Sequence, residues 1–181
     1  MPELLRLEHF GFTYPQQPRP ALADVSLTVR QGEFWVLCGA SGCGKTTLLR
    51  QLKPALRPHG AAEGYILFDG QPLDDLPPHR QAADIGFVLQ SPEEQTVTDK
   101  VWHELAFGLE SLGCDTPSIR RRVAEMASFF GIQDWFHRKV DELSGGQKQL
   151  LALASVMVLQ PRLLILDEPT RLQLISYAVF C

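Results

Sequence analysis

The sequence predicts an α/β fold: a parallel sheet core, antiparallel strands at the N-terminus, and an inserted helical subdomain from about residue 91 to 143. Three observations carry this. The continuous apolar runs "FWVLC" (34–38) and "LLIL" (163–166) have strand length and read as strands buried on both faces, as parallel sheets require. Between 98 and 131 apolar residues recur at three- and four-residue spacing, the helical period. Strand and helix alternate around that helical stretch, which is the α/β pattern rather than a bundle or a sandwich.

Each element follows from local chemistry. "ELLRLEHFGFTY" (3–14) alternates as a strand or hairpin arm, and "VSLTV" (25–29) is a second strand before the turn "QGE" (31–33). The run 34–38 leads into a glycine-rich loop and then the helix "KTTLLRQL" (45–52), ended by Pro54. "YILF" (65–68) and "IGFVL" (85–89) are strands, with proline-rich loop material at 69–80 between them. Helices are expected over 98–112 and 117–131, with Gly113 and Gly131 as C-terminal caps and Pro117 at a helix start. A long buried helix follows over 144–161, stopped by Pro161, and then the strand at 162–167. The chain carries no internal repeat and no low-complexity segment.

Composition narrows the function classes. With 181 residues the chain is one domain or slightly more, 45% hydrophobic and 21% charged, which is ordinary for a globular protein. The net charge of -4 argues against a nucleic-acid partner, since such proteins are more often basic. The 4 cysteines, Cys38, Cys43, Cys114 and Cys181, form no C-x-x-C pair and read as free thiols of a reducing compartment. His9, His59, His79, His103 and His137 share no spacing with one another or with the cysteines, so no metal site is expected from them. "RRR" (120–122) reads as a solvated helix face. The N-terminus does not have the form of a signal peptide. The most apolar stretch, "LLALASVMVL" (150–159), falls well short of the ~20 residues a membrane span needs. A cytoplasmic chain able to dock on a membrane protein is the expectation.

"GASGCGKT" (39–46) matches G-x-x-x-x-G-K-[ST], with a buried strand before it and a helix after it, the context that distinguishes a phosphate loop from a chance glycine loop. Gly39, Gly42 and Gly44 let successive N–H groups point at oxyanions, and Ser41 lies within that curl. Lys45 is placed to reach the β- and γ-phosphates and Thr46 to offer its hydroxyl to Mg²⁺, with Thr47 next in the helix. Asp167 emerges at the carboxyl end of the strand at 163–166, where it can hold Mg²⁺ through water, and Glu168 follows as the candidate general base. Together these predict a P-loop NTPase fold with ATP and Mg²⁺ as ligands.

"LSGGQ" (143–147) decides among P-loop proteins. Beside the two motifs above, it resembles the signature of the ABC (ATP-binding cassette) ATPases, and the resemblance covers residues 3 to about 170. It implies that two cassettes sandwich two ATPs, with Ser144, Gly145, Gly146 and Gln147 of one completing the site of the other. It implies too that Tyr14 in "FTYP" stacks on adenine, and that Gln90 joins Mg²⁺ and water to the helical subdomain. The frame Gln90, Pro92, Gln95, Val101, Glu104, Ala106-Phe107-Gly108, Glu110 resembles the energy-coupling factor (ECF) and cobalt-type importer ATPases more narrowly. In these the surface receives helices of a transmembrane coupling subunit, which works with a substrate-binding membrane subunit. Leu150 stands where most relatives carry arginine, and "QKQLLALASVMVLQP" is similar to the first half of tandem-cassette ECF ATPases.

After "DEPT" (167–170) the resemblance stops: "RLQLISYAVFC" (171–181) stands where a Ser-x-Leu-Asp loop, a helix, a core strand and a switch histidine are expected. The expectation is therefore an ATP-binding domain over 1–170, a non-family tail over 171–181, and a gap in the sheet between the strands of the phosphate loop and the acids. "LISYAVF" (174–180) has strand composition, but residues 171–173 are too few for a parallel crossover. The tail is left to pair antiparallel or to hang as an exposed edge. Three readings stand at this point. One is an importer ATPase subunit, peripheral on the cytoplasmic membrane face and impaired in hydrolysis as this chain; it would couple ATP to uptake of a vitamin or metal ion. The second is a soluble ABC ATPase outside transport, and the third a non-functional fragment.

Overall fold

A computed structural model describes residues 2–167 and the backbone of a strand at 178–180. Its first sheet is antiparallel. Strand β1 (Glu3–Thr13) pairs with β2 (Leu22–Arg30) on one side and β4 (Ala61–Phe68) on the other, and β4 turns into the short β5 (Gln71–Pro72). The inward residues of β1, Leu5, Leu7, Phe10 and Phe12, are all buried. They pack with Val29, Leu48, Leu49, Phe68, Ile85 and Leu163 into one apolar core, so the same cluster anchors the phosphate-loop helix and both parallel strands.

The second sheet has the order β3 (Phe34–Trp35), β8 (Ala178–Phe180), β7 (Leu163–Leu166), β6 (Ile85–Val88). Strands β6 and β7 pair in parallel, Ile85 opposite Leu163 through Val88 opposite Leu166, and every residue of both is buried. Strand β8 runs antiparallel to both neighbours, with Val179 opposite Trp35 on one side and Ile165 on the other. The expected gap between β3 and β7 is thus closed by the antiparallel option, which needs no parallel crossover.

The helices are α1 (Lys45–Gln51), α2 (Pro78–Asp84), α3 (Pro92–Gln95), α4 (Val101–Ser111), α5 (Thr116–Phe130) and α6 (Gly145–Met157). A second apolar cluster joins α4, α5 and α6 through Val101, Leu105, Leu109, Val123, Ala127, Leu151 and Ala154. Helix α5 starts on the Asp115 cap, whose carboxylate accepts from Ser118 N at 3.1 Å, and stops at Gly131 with φ 65. Helix α6 lies so close on β6 that a Cβ at Gly86 would meet Val156 Cγ1 at 2.5 Å. The two sheets are tied at the Asp69–Arg162 fork (2.6 and 3.0 Å), where Arg162 also lies over the Phe68 ring. The hydrogen bonds from Arg162 hold the Asp69 carboxyl below its usual range.

Three expectations are corrected. The run 34–38 is not buried on both faces: Phe34 is 48% and Val36 43% exposed, while Trp35 and Leu37 pack on the core. Alternate residues of the run point to opposite faces, and only the face of Trp35 and Leu37 meets the apolar cluster of the first sheet. The stretch 69–80 is not all loop, because β5, a 3₁₀ turn at Leu73–Asp75 and the start of α2 lie within it. Pro78 stands in the first turn of α2, where its missing N–H costs nothing. Helix α6 ends at Met157 rather than at Pro161, with Gln160 in the left-handed region at φ 57.

Candidate nucleotide site

The loop 39–44 runs from the end of the 34–38 segment into α1, with Gly44 as its N-cap. Gly44 has φ 97, and a Cβ there would lie 2.7 Å from the carbonyl oxygen of Ala21. Both the backbone conformation and the contact exclude any side chain. Lys45 Nζ donates to the carbonyls of Gly39 (2.9 Å) and Ala40 (2.8 Å), folding the ammonium over the loop. An anion seated in the loop would meet this charge together with the N–H groups at the start of α1.

The loop floors an open pocket of about 590 Å³, lined by Tyr14, Ser41, Gly42, Lys45, Thr46 and Thr47 among others. Tyr14 is fixed there by a 3.0 Å hydroxyl contact with the buried Thr47 and by an edge-on contact with the Phe12 ring. Gln17 and Arg19, which no motif in the sequence marks, line the same pocket. Their signal was position: the chain from Tyr14 must return to Ala21, directly beneath Gly44.

Thr46 Oγ1 donates to Asp167 Oδ1 at 2.8 Å. Asp167 is 1% exposed and its N–H donates to Val88 O at 3.0 Å, so the parallel β6–β7 pair delivers it to the phosphate loop. A hydroxyl beside a buried carboxylate is a hard oxygen donor set of the kind Mg²⁺ takes, and the residues present fit that ion. Thr46 and Asp167 would hold it, and it would neutralise charge on the phosphates. Gln90, exposed, follows the same carboxyl edge two residues beyond β6. Glu168, the candidate general base, lies outside the described residues, as do Pro169, Thr170 and the tail at 171–177.

Ser144 caps α6. Its hydroxyl accepts from Gln147 N (3.4 Å), and Gln147 Oε1 accepts from Ser144 N (2.9 Å), a complete capping box. Ser144, Gly145 and Gly146 are all exposed. A Cβ at either glycine would meet nothing within 4 Å, although glycine costs a helix about 1 kcal/mol relative to alanine. The pair has no packing role inside the described chain, so the room it leaves faces outward. The described lining of the phosphate-loop pocket comes from residues 14–47, and the four signature residues stand apart from it.

Among the described residues no helix is long and apolar enough to cross a membrane, and no group of three or more histidine, cysteine or acidic side chains could hold a metal. Cys38, Cys43 and Cys114 are free thiols.

A glycine loop between strand and helix, with its hydroxyl on a buried aspartate of a neighbouring parallel strand, defines a P-loop nucleotide-binding fold. The family model described as ABC transporter matches residues 22–171, and the chain belongs to that family of ATP-binding proteins. It is 49% identical to a putative ABC transporter ATP-binding protein of Bacillus cereus, over 91% of this chain and 30% of that one. It is 38% identical to the cobalt import ATP-binding protein CbiO of Syntrophus aciditrophicus, over 92% of this chain and 59% of the relative. Against the energy-coupling factor transporter ATP-binding protein EcfA1 of Lactobacillus delbrueckii the identity is 34%, with the same two shares of 92% and 59%. The structure of CbiO1 from Clostridium perfringens, part of the complex CbiONQ, superposes with a TM-score of 0.81 at 30% identity, covering 94% of this chain and 67% of that one. The chain thus spans between about a third and three-fifths of the length of these curated relatives.

Proposed function

We propose that the chain is the ATP-binding part of an ECF- or cobalt-type importer, coupling ATP binding and hydrolysis to uptake of a vitamin or metal ion. The observation that carries the ATP half is the Thr46–Asp167 contact at 2.8 Å beside a phosphate loop whose Lys45 is already turned inward. ATP would place its phosphates on the N–H groups of 39–46, with Lys45 and Thr46 at the terminal phosphates and Tyr14 under the base. Gln90 and Glu168 would orient and deprotonate water.

Hydrolysis in this reading needs a second cassette. Ser144, Gly145 and Gly146 are exposed at the head of α6, where Gln147 completes the cap, and the two uncovered glycines suit close approach of a partner's γ-phosphate. Turnover by this chain alone is therefore weak and rises with concentration or with a second ATP-binding domain. The chain divides into an ATP-binding domain over 1–170, whose helical subdomain spans about 91–143, and a tail over 171–181. The names CbiO and EcfA1 among its relatives support membrane subunits as partners and the cytoplasmic membrane face as its station. The groove between α3, the segment that leads into α4, the turn at 139–141 and the head of α6, lined by Glu93, Thr98, Asp99, Lys139, Asp141 and Lys148, is the surface offered to them.

Co-expression with the membrane subunits of a cobalt- or vitamin-type importer tests the transport half. Recovery of this chain in a detergent-solubilised complex, lost on reversing the groove charges by Lys148→Glu and Lys139→Glu, is the expected result. A chain that binds ATP yet is never recovered with such subunits would leave the second reading, an ABC ATPase outside transport.

A further inference from the structure

We infer that Gln95 is a positioning residue that transmits the state of the Gln90 loop to helix α6, and so to the signature residues at its head. Its side chain spans the two. Oε1 accepts the N–H of Leu89 at 2.9 Å and Nε2 donates to the carbonyl of Ala152, in the middle of α6, at 3.4 Å. The orientation of the amide follows from its partners, since only the oxygen can accept an N–H and only the nitrogen can donate to a carbonyl.

The segment that carries Gln95 is built as a strut. Helix α3 is a single turn, with buried Pro92 fixing its first residue and Thr96 Oγ1 closing its end on Pro92 O at 2.9 Å. Its outer face meets α6 a second time at Glu93–Lys148, 3.7 Å apart. The Ala152 carbonyl also accepts from Ser155 Oγ at 2.9 Å, so the bond from Gln95 lands where the helix's own hydrogen bonding is already shared. Leu89 lies between β6 and Gln90. A displacement of Gln90 by ligand therefore pulls on the Leu89 amide, and through one rigid turn on α6. This inference rests on the nucleotide reading above only for what moves Gln90; the strut itself does not depend on it.

The test uses backbone amide NMR of the full chain with Gln95→Leu, which can make neither bond, and Gln95→Glu, which can accept from Leu89 N but cannot donate to Ala152 O. Without nucleotide, the Leu89 amide should exchange on the order of tenfold faster in Gln95→Leu and near the parent rate in Gln95→Glu. With Mg-ATP, the parent should respond at Gly42 and Gly44, at Leu89–Gln90, and at Ala152–Ser155. Gln95→Glu should keep the first two responses and lose the third, which a merely structural role would not do. A response at Ala152–Ser155 that survives in Gln95→Leu, or its absence from a parent whose Gly42 and Gly44 do respond, overturns the inference. Silence at Gly42 and Gly44 overturns the nucleotide reading instead, and an unchanged Leu89 exchange rate then overturns the strut as well.

Discussion

Thr46 and Asp167, 121 residues apart in the chain, meet through a 2.8 Å hydrogen bond from hydroxyl to carboxylate. That contact joins the two halves of the phosphate chemistry, because it fixes the strand β7 acid against the first turn of α1. Thr46→Val keeps the shape and removes the hydroxyl. The buried Asp167 carboxylate then loses a donor, and stability in urea should fall by about 1–3 kcal/mol. ATP affinity of the variant should lose its dependence on added Mg²⁺, measured by titration with and without chelator.

Glu104 is 5% exposed, and its Oε2 accepts from Val97 N (3.1 Å), Thr98 N (2.9 Å) and Thr98 Oγ1 (2.9 Å). It is the clasp that shapes the loop entering α4 and hence one wall of the groove lined by Glu93, Thr98, Asp99 and Lys148. Glu104→Ala leaves those donors without the carboxylate and should cost roughly 2–4 kcal/mol, with charge-assisted bonds at the upper end. Denaturant melts should show it, and amide exchange should localise the loosening to Val97 and Thr98.

Lys53 sends its ammonium to the carbonyls of Gln81 (2.7 Å), Ala82 (3.4 Å) and Ile85 at the end of α2. Burial pushes its pKa down to about 8 from an ordinary 10.5. Between those two values the unfolded chain holds a proton that the folded chain has released, so stability rises with pH across the window. Below about pH 8 both states are protonated and the burial cost is fully present. The stability of the parent minus that of Lys53→Met should therefore climb from pH 8 to pH 10 and be flat below pH 7. A flat difference throughout would mean that the carbonyl bonds outweigh burial.

Val179 stands opposite both Trp35 and Ile165, which makes β8 the link between β3 and the rest of its sheet. Val179→Pro removes an N–H from that ladder, which a central strand does not tolerate. In a variant whose other tryptophans, Trp102 and Trp135, are replaced by Phe, the emission of Trp35 should shift to the red and the protein should associate more readily. Phe34 and Val36 are already exposed beside it, and a freed strand edge adds to that liability. An unchanged spectrum would mean that β3 is held by its packing on the first sheet.

The sequence shows what is local and hides what is long-range. Lys45, Thr46 and Ser144 are legible because loop, helix start and cap are each encoded within a few residues. The α4–α5 pair is legible from its period and from Gly131. The double role of Gln95 is not, because a lone glutamine reveals neither of its partners and Ala152 is 57 residues away. Helix α2 was hidden by its own prolines, since Pro77 and Pro78 read as loop although the second suits a helix start. The half-exposed Phe34 and Val36 were hidden for the opposite reason: an unbroken apolar run implies two covering layers, and composition cannot reveal that one of the two is thin. For the tail, residues 171–173 are too few for a parallel crossover, which leaves two options, and the backbone pairing of β8 decides between them.

The most direct measurement is the thermal midpoint of the purified chain with and without Mg-ATP, beside Lys45→Ala. Ligand at a hundred times its Kd stabilises by about 2.7 kcal/mol, and for a chain of this size each kcal/mol raises the midpoint by roughly 2–4 °C. A rise of that order in the parent, absent from Lys45→Ala and diminished without Mg²⁺, is the expected result. No rise in the parent, or the same rise in Lys45→Ala, would mean that the loop at 39–46 is not where this chain holds nucleotide.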